Sequence, residues 1–449
     1  MAMEFNVEII HKETIKPSSP TPLSLKNLKL SLFDQLTPPN YLPLLYFYPN
    51  YDPHHDIDEF AKARSLQLKK SLAETLTRFY PFAGRIVSNS LIECNDEGVE
   101  YIETRVNCHL HDILKQRPHC YSRNKLLPPL YDSITEALTD DHCILMVKVN
   151  FFECGGMAIG VSISHKVADL FTLSTFINTW AAMAQGNGNS NVIDPEFGTF
   201  SSLFPPMPLP NSKFQVPKVE NVATRRLVFD ASKISMLKAQ AASRDVAQPS
   251  RVQAVTGLIW KCAMAAATSN RGGLKKPSVL HQVVNLRRKM NPPLPEYSMG
   301  NFVHGCISKT GPEYCETELM QGLVKQLSDG IREFNENKVR KIQGRDGVSA
   351  ILESLKEMGS YYSKKEEFDL YISSSVCRFN LYVADFGWGK PIWVSVSDVT
   401  PTNSFILMDS RDEEAIEAWL TLNVAEMAFF ERNEELLAFA SVNPAAVIP

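Results

Sequence analysis

Two apolar runs separated by Gly155-Gly156 stand at the centre of the hydrophobic pattern: Ile144-Leu-Met-Val-Lys-Val-Asn-Phe-Phe152 and Met157-Ala-Ile-Gly-Val-Ser-Ile-Ser164. Their alternation and β-branched content predict two strands of a hairpin-like unit. From Asp169 onward the period changes. Leu170, Leu173, Phe176, Ile177 and Trp180 recur at helical spacing, and Asp169 stands where an N-cap belongs. His165 therefore falls between a buried strand and a helix, where a side chain can face a cleft from a rigid frame.

Ahead of this unit, residues 5–16 and 42–48 read as strands. Residues 57–79 read as an amphipathic helix carrying Phe60, Ala63, Leu66, Leu68, Leu72, Leu76 and Phe79 and stopping before Pro81. Short strands follow at 86–93 and 99–105, and 107–120 has no clear period. After the unit, Gly186-Asn-Gly-Asn-Ser-Asn191 and six prolines from Pro195 to Pro217 mark a boundary. Such a segment is expected to run extended over the surface and form no third core. It divides the chain into 1–185, a crossover at 186–225, and 226–449, with parts of 375–410 able to pack with the first domain.

Beyond the crossover the pattern predicts a strand at 224–230, helices at 231–243 and 250–268, and a buried strand at 279–286. Helices are expected at 316–338 and 346–358. Strands are expected at 371–376, 379–384, 391–398 and 404–409, and a closing amphipathic helix at 412–431. Interleaved strands and helices define a mixed α/β class.

Length supports the division, because 449 residues exceed one ordinary core and fit two domains of roughly 200 each. A 44% hydrophobic and 21% charged composition is that of a soluble globular protein. The net charge of −4, with both signs dispersed, offers no basic face to nucleic acid or anionic lipid. The first residues carry acids and no long apolar stretch, so no signal peptide is expected, and no run approaches the ~20 residues of a membrane span. Nine scattered cysteines without a C-x-x-C pair fit free thiols in the cytosol.

For chemistry, imidazole is the side chain that accepts a proton near neutrality. His165 at a strand exit is placed to deprotonate an alcohol or amine. Asp169, four residues on, either orients the ring or turns away to hold the loop through an Arg. The H-x-x-x-D string alone is weak, and a hydrogen-bonded structural histidine is the commoner case. A second stretch, Asp385-Phe-Gly-Trp-Gly-Lys-Pro391, reads as a rigid turn: Gly387 and Gly389 permit the bend, Trp388 packs over it, and Asp385 is structural. Its D-F-G string does not make a kinase, since no H-R-D loop precedes it.

Together and in this order, the two stretches resemble the signatures of the BAHD acyl-CoA-dependent acyltransferases of plants. Phe79-Tyr-Pro-Phe-Ala-Gly-Arg85, Val284-Asn-Leu-Arg287, Met290-Asn-Pro-Pro-Leu-Pro295 and Met299-Gly-Asn-Phe302 resemble the family too, so the likeness covers essentially the whole chain. Within it, His165-Lys-Val-Ala-Asp-Leu-Phe-Thr-Leu and Asn-Pro-Pro-Leu-Pro look most like the alkaloid O-acetyltransferases. The resemblance implies a two-domain fold like chloramphenicol acetyltransferase, with a solvent channel through the domain interface. Acyl-CoA, expected to be acetyl-CoA, would enter one mouth as co-substrate and a small-molecule acceptor the other. His165 would be the general base, with no acyl-enzyme. Asp169 would turn away and pair with Arg287, and Asp385 would be structural. Asn301, Phe302, Ser373 and Ser374 would line the channel near CoA. A monomer suffices for such a channel.

Within this class, malonyl is the nearest rival acyl group, and phenolic or terpenoid alcohols are rival acceptors. From another class, a binding protein that kept the fold and lost the activity is opposed by the intact His165 and glycine turn. Competing machinery is missing: there is no G-x-S-x-G, H-E-x-x-H or G-x-G-x-x-G. Cys108-His-Leu-His-Asp112, near His119 and Cys120, would put His109 and His111 on one strand face. Without a second spaced pair, packing or surface residues are favoured and no metal is expected. Arg271, Lys275 and Lys276 around Gly272-Gly273 could attract a CoA phosphate, but a solvated turn is favoured. His281 and His304 read as ordinary, partly buried histidines.

Overall fold

The two apolar runs pair as antiparallel strands, Leu145–Phe152 and Met157–Ser164. Gly155, at φ +75°, closes the turn between them. In this computed structural model, residues 5–51, 56–115, 123–129, 142–186, 192–209, 221–312, 319–364, 366–396 and 401–446 are described. The pair lies within a six-stranded sheet ordered Val7–Ile15, Val99–Val106, Leu145–Phe152, Met157–Ser164, Tyr41–Tyr48, Trp393–Val396. Every residue of Met157–Ser164 is buried. With both faces covered, the strand needs no polar side, which explains its almost unbroken apolar run. The helix Ile57–Arg78 packs against the helix Leu170–Ala184, and their Leu68, Leu72, Leu76, Phe176 and Trp180 fill the core of this half.

A second, seven-stranded sheet runs Val303–Thr310, Ser278–Asn285, Asp369–Ser375, Ser404–Asp409, Ile416–Asn423, Val222–Phe229, Ser441–Val442. The helix Arg251–Asn270 packs with Leu319–Glu333 and the sheet to form the second core. The first sheet borrows a strand from the second half: Trp393–Val396 pairs antiparallel with Tyr41–Tyr48. Trp393 stacks on Phe47 at 5.3 Å and on Trp419 of the second sheet at 6.1 Å. The Arg123 guanidinium lies 5.1 Å from the Trp393 ring and 4.5 Å from that of Trp419. Arg226 forms a buried two-point pair with Glu417, at 2.7 and 2.8 Å.

Three expectations are corrected, and one strand lay outside them. The closing helix at 412–431 is a strand, Ile416–Asn423, followed by a short helix, Val424–Phe430. That strand lies inside the sheet and is buried along nearly its whole length, so its apolar spacing had no period of two to show. The strand expected at 379–384 is an irregular loop ending in a 3₁₀ turn, Leu381–Val383, with Arg378 and Asn380 at positive φ. The edge strand Val303–Thr310 went unseen because Gly305, Ser308 and Lys309 dilute its β pattern. Finally, the described part of the crossover does not simply skirt the surface. It holds a helix, Thr199–Leu203, and its Phe200 and Phe204 are buried with Leu32, Phe33, Phe302 and Phe334 in a third core. Six prolines suppressed the helical signal there, and aromatic anchoring overrode it.

Candidate active site

The strand Met157–Ser164 delivers the chain to His165, whose N–H donates to the Asn40 carbonyl at 2.7 Å. Asp169 Oδ1 then accepts the Thr172 N–H at 2.9 Å and starts the helix Leu170–Ala184. The imidazole between these anchors is half-buried. Its Nδ1 lies 3.0 Å from the Ala168 carbonyl and 3.0 Å from Asn301 Oδ1. The Asn301 amide cannot be turned round, because its Nδ2 donates to Asp34 Oδ1 at 3.0 Å and to the His165 carbonyl at 2.5 Å. Two acceptors therefore face Nδ1 and fix the proton there. Nε2 keeps its lone pair. Burial lowers the pKa of His165 below its ordinary 6.5, opposed by the Asp169 charge and the two Nδ1 acceptors, so the ring is a neutral base at pH 7.

Asp169 does not bond the imidazole. Its Oδ2 meets Arg287 Nη1 at 2.7 Å and its Oδ1 meets Nη2 at 3.2 Å. Oδ2 also accepts the Phe302 N–H at 3.1 Å. Arg287 donates further to the carbonyls of Ser298 and Gly300, each at 2.9 Å, and to Thr172 Oγ1 at 3.1 Å. Burial alone would raise the Asp169 carboxyl. The Arg287 guanidinium and the N–H donors more than offset this and hold it below the ordinary value.

Sequence reading missed two neighbours. Asp34 sits in the short helix Leu32–Leu36, where its Oδ2 accepts the N–H (2.7 Å) and the hydroxyl (2.6 Å) of Ser31. Its Oδ1 accepts the Asn301 N–H at 2.9 Å as well as the Asn301 amide. Lys166, only 2% exposed, donates to the carbonyls of Asp34, Gln35 and Thr37 at 3.1, 2.9 and 3.0 Å. The string Ser31-Leu-Phe-Asp34 signals a capping box. Nothing in it points to a residue 267 positions away.

At the far end of the helix Leu170–Ala184 lies the glycine turn. Asp385 Oδ1 accepts the N–H groups of Gly387 at 2.8 Å and Gly389 at 2.9 Å, and both glycines adopt φ +104°. Trp388 stacks on Phe386 at 5.5 Å, with the Arg64 guanidinium 4.9 Å from its ring. Gln185 and Gln67 bond the carbonyls of Asp385 and Phe386. A helix of 15 residues spans about 22 Å, so this turn lies too far from His165 to touch its chemistry.

Of the expected channel residues, Ser373 and Ser374 line a cavity of about 220 Å³ with Ser375, Gln282, Asn285 and Thr256. Asn301 and Phe302 are both fully buried and are not among the residues lining that cavity. Asn301 faces His165 and Asp34, and the Phe302 ring packs on Phe200 at 4.4 Å and Phe33 at 5.1 Å. The Cys108–Asp112 stretch enters a helix, Leu110–Lys115, so His109 and His111 do not share a strand face. His119 and Cys120 lie outside the described residues. Arg271 is committed to Asp369 through two bonds of 2.8 and 2.7 Å, and Lys276 to the Glu366 carbonyl. His281 and His304 are pushed down to about 4 by burial.

A buried imidazole with its proton held on Nδ1 and Nε2 left as an acceptor is equipment that suits proton abstraction from an acceptor group. Comparison with known proteins gives the class a name. A profile of the Transferase family matches residues 5–437. Akuammiline synthase 1 of Alstonia scholaris is 39% identical over 96% of this chain and 97% of its own. Epi-neemfruitin B 7-O-acetyltransferase of Melia azedarach is 37% identical over 97% and 99%. The crystal structure of vinorine synthase matches with a TM-score of 0.84 at 36% identity, covering 97% of this chain and 99% of that one. The fold alone is shared with a Fusarium sporotrichioides TRI101 structure complexed with coenzyme A and T-2, at TM-score 0.66 and 15% identity. The chain belongs to the BAHD acyltransferase family, and its fold is the mixed α/β, two-domain, chloramphenicol-acetyltransferase-like one.

Proposed function

We propose that this acyltransferase moves an acetyl group from acetyl-CoA to a hydroxyl of a specialised plant metabolite, with a monoterpene indole alkaloid as the acceptor class. His165 Nε2 takes the hydroxyl proton as the oxygen attacks the thioester carbonyl. The new C–O bond forms, the C–S bond breaks, and the departing CoA sulfur receives the proton back from His165. The observation that carries this reading is the proton fixed on Nδ1, which leaves Nε2 basic. Asp169, Arg287 and the Asp385 turn are assigned structural roles, because their hydrogen bonds run to the frame and not to the imidazole. The cavity beside Ser373 and Ser374 is assigned to the CoA arm. Residues 1–185 and 226–449 are taken as the two domains, with Trp393–Val396 crossing to the first.

The test is release of free CoA thiol from acetyl-, malonyl- and benzoyl-CoA against a panel of hydroxylated monoterpene indole alkaloids. Acceptor-dependent release with acetyl-CoA is expected. Turnover only with phenolic or terpenoid alcohols would overturn the acceptor class, and turnover only with malonyl-CoA would overturn the donor. His165→Ala is expected to lower the rate by roughly 10²–10⁴.

A further inference from the structure

The motif aspartate faces Arg287, so the carboxylate that a catalytic imidazole commonly leans on has to come from elsewhere or not at all. Among the described residues, the buried carboxylate of Asp34 lies within two hydrogen bonds of His165. We propose that Asp34 is a positioning residue for acyl transfer: through the side-chain amide of Asn301 it holds the Nδ1-protonated form of His165 and offsets the positive charge the ring gains when it takes the acceptor's proton. This rests on the reading of His165 as the base.

The geometry supports it in three ways. All four contacts to the Asp34 carboxyl are donations into it: the Ser31 N–H and hydroxyl on Oδ2, and the Asn301 N–H and amide on Oδ1. Three of the four donors are N–H groups that cannot turn to accept, so these contacts favour the anion over the protonated carboxyl. Burial on balance raises the Asp34 carboxyl above its ordinary value, and the Ser31 and Asn301 donors offset part of that rise.

The Asn301 amide is also polarised end to end. Its Nδ2 gives to the carboxylate while its Oδ1 receives the imidazole Nδ1–H. Donation at one end strengthens acceptance at the other.

The contacts, moreover, close a ring. His165 is bonded through the chain to Lys166, Lys166 Nζ holds the Asp34 carbonyl, Asp34 holds Asn301, and Asn301 holds His165. The ring fixes the short helix Leu32–Leu36 to the residue next to the base. The charged groups that surround it from the other elements are Asp169, at the start of the helix Leu170–Ala184, and Arg287, after the strand Ser278–Asn285. Those two neutralise one another, and Lys166 Nζ lies on the Asp34 main-chain carbonyl and not on its carboxylate, so the carboxylate faces the proton taken up by His165 through Asn301.

The experiment uses the full-length protein labelled at histidine, with the His165 imidazole signal assigned by its loss in His165→Ala. Nuclear magnetic resonance reads two quantities from it, the ring nitrogen that carries the proton and the titration midpoint. Wild type is expected to be protonated on Nδ1. Asp34→Asn, which removes the charge, is expected to lower the midpoint and to populate the Nε2-protonated form. Asn301→Ala is the second variant, should Asp34→Asn not fold: it leaves the carboxylate three of its four donors, and the same two changes are expected.

With acetyl-CoA and the alcohol identified in the thiol-release panel, both variants are expected to lose about 10- to 100-fold in kcat, with little change in KM for acetyl-CoA. In a His165→Ala background, Asp34→Asn is expected to cost nothing further, whereas a merely structural role would add its loss. Folded variants whose midpoint and tautomer match wild type would overturn the inference. The two readings fail separately. If His165→Ala keeps its turnover, the base assignment falls. If it loses turnover while Asp34→Asn and Asn301→Ala keep theirs, only the positioning role falls.

Discussion

The side-chain amide of Gln185 donates to the main-chain carbonyl of Asp385 at 2.5 Å. Gln185 follows the helix whose first residue is capped by Asp169, so one helix carries the His165 turn at its start and grips the glycine turn at its end. Two stretches distant in sequence thereby act on one rigid strut, although only one of them lies beside the imidazole.

Asp385→Ala removes the acceptor shared by the Gly387 and Gly389 N–H groups. Leaving them unpaired is expected to cost about 1–3 kcal/mol. Calorimetry should show a lower Tm, while kcat of the folded protein stays within about tenfold of wild type, as befits a group remote from the chemistry. A variant as stable as wild type but without turnover would show that the turn does more than hold shape.

Arg287→Met leaves the Asp169 carboxylate buried without its cation, at an expected cost of about 3–5 kcal/mol at neutral pH. Because the folded carboxyl is held below its ordinary value, its stabilisation is full above the unfolded pKa of about 3.9 and is lost as pH falls through the folded value. The deficit of the variant against wild type should therefore shrink on acidification below about pH 4. Urea unfolding at neutral and acidic pH reads this directly, and a deficit independent of pH would contradict it.

Much of this frame was legible in the chain itself. The strand, turn and helix around His165 announce themselves because β-branched apolar runs flank a Gly-Gly turn and then give way to helical spacing at a capping aspartate. The strand Ile416–Asn423 did not, since a fully buried strand has no polar face to betray its period. Phe200 and Phe204 were hidden among prolines, and their burial is decided by Phe33 and Phe302 far along the chain. Asp34 and Lys166 were silent for a related reason: a capping box looks the same whether or not its carboxylate also meets an asparagine from the other half of the molecule. Local pattern reports local structure, and the neighbours of His165 are contributed by tertiary contacts.

In the proposed role of His165 as base, turnover needs the neutral ring, whose share falls as pH drops through its pKa. Burial sets that pKa below 6.5. The acidic limb of kcat/KM is therefore expected to have its midpoint below pH 6.5. A midpoint above it would count against a buried, desolvated base.

Gly300→Ala probes the segment that presents Asn301. The residue has φ +126°, and an added Cβ would meet the Phe200 ring at 2.9 Å. Strain and contact together are expected to cost about 1–3 kcal/mol and to shift Asn301 away from His165, so kcat should fall. Phe200→Ala alone costs stability because a buried core ring is lost, but Gly300→Ala should cost less in that background than in wild type, since the contact is gone and only the strain remains.

Trp393–Val396 completes the edge of the first sheet beside Tyr41–Tyr48. During synthesis, Tyr41–Tyr48 leaves the ribosome long before its partner exists. Its backbone groups stay open along that edge until almost the entire polypeptide has followed. The first half of this protein is thus no early, self-sufficient product of translation, and a chaperone that shields an unpaired strand would have its longest task at the opening of the chain.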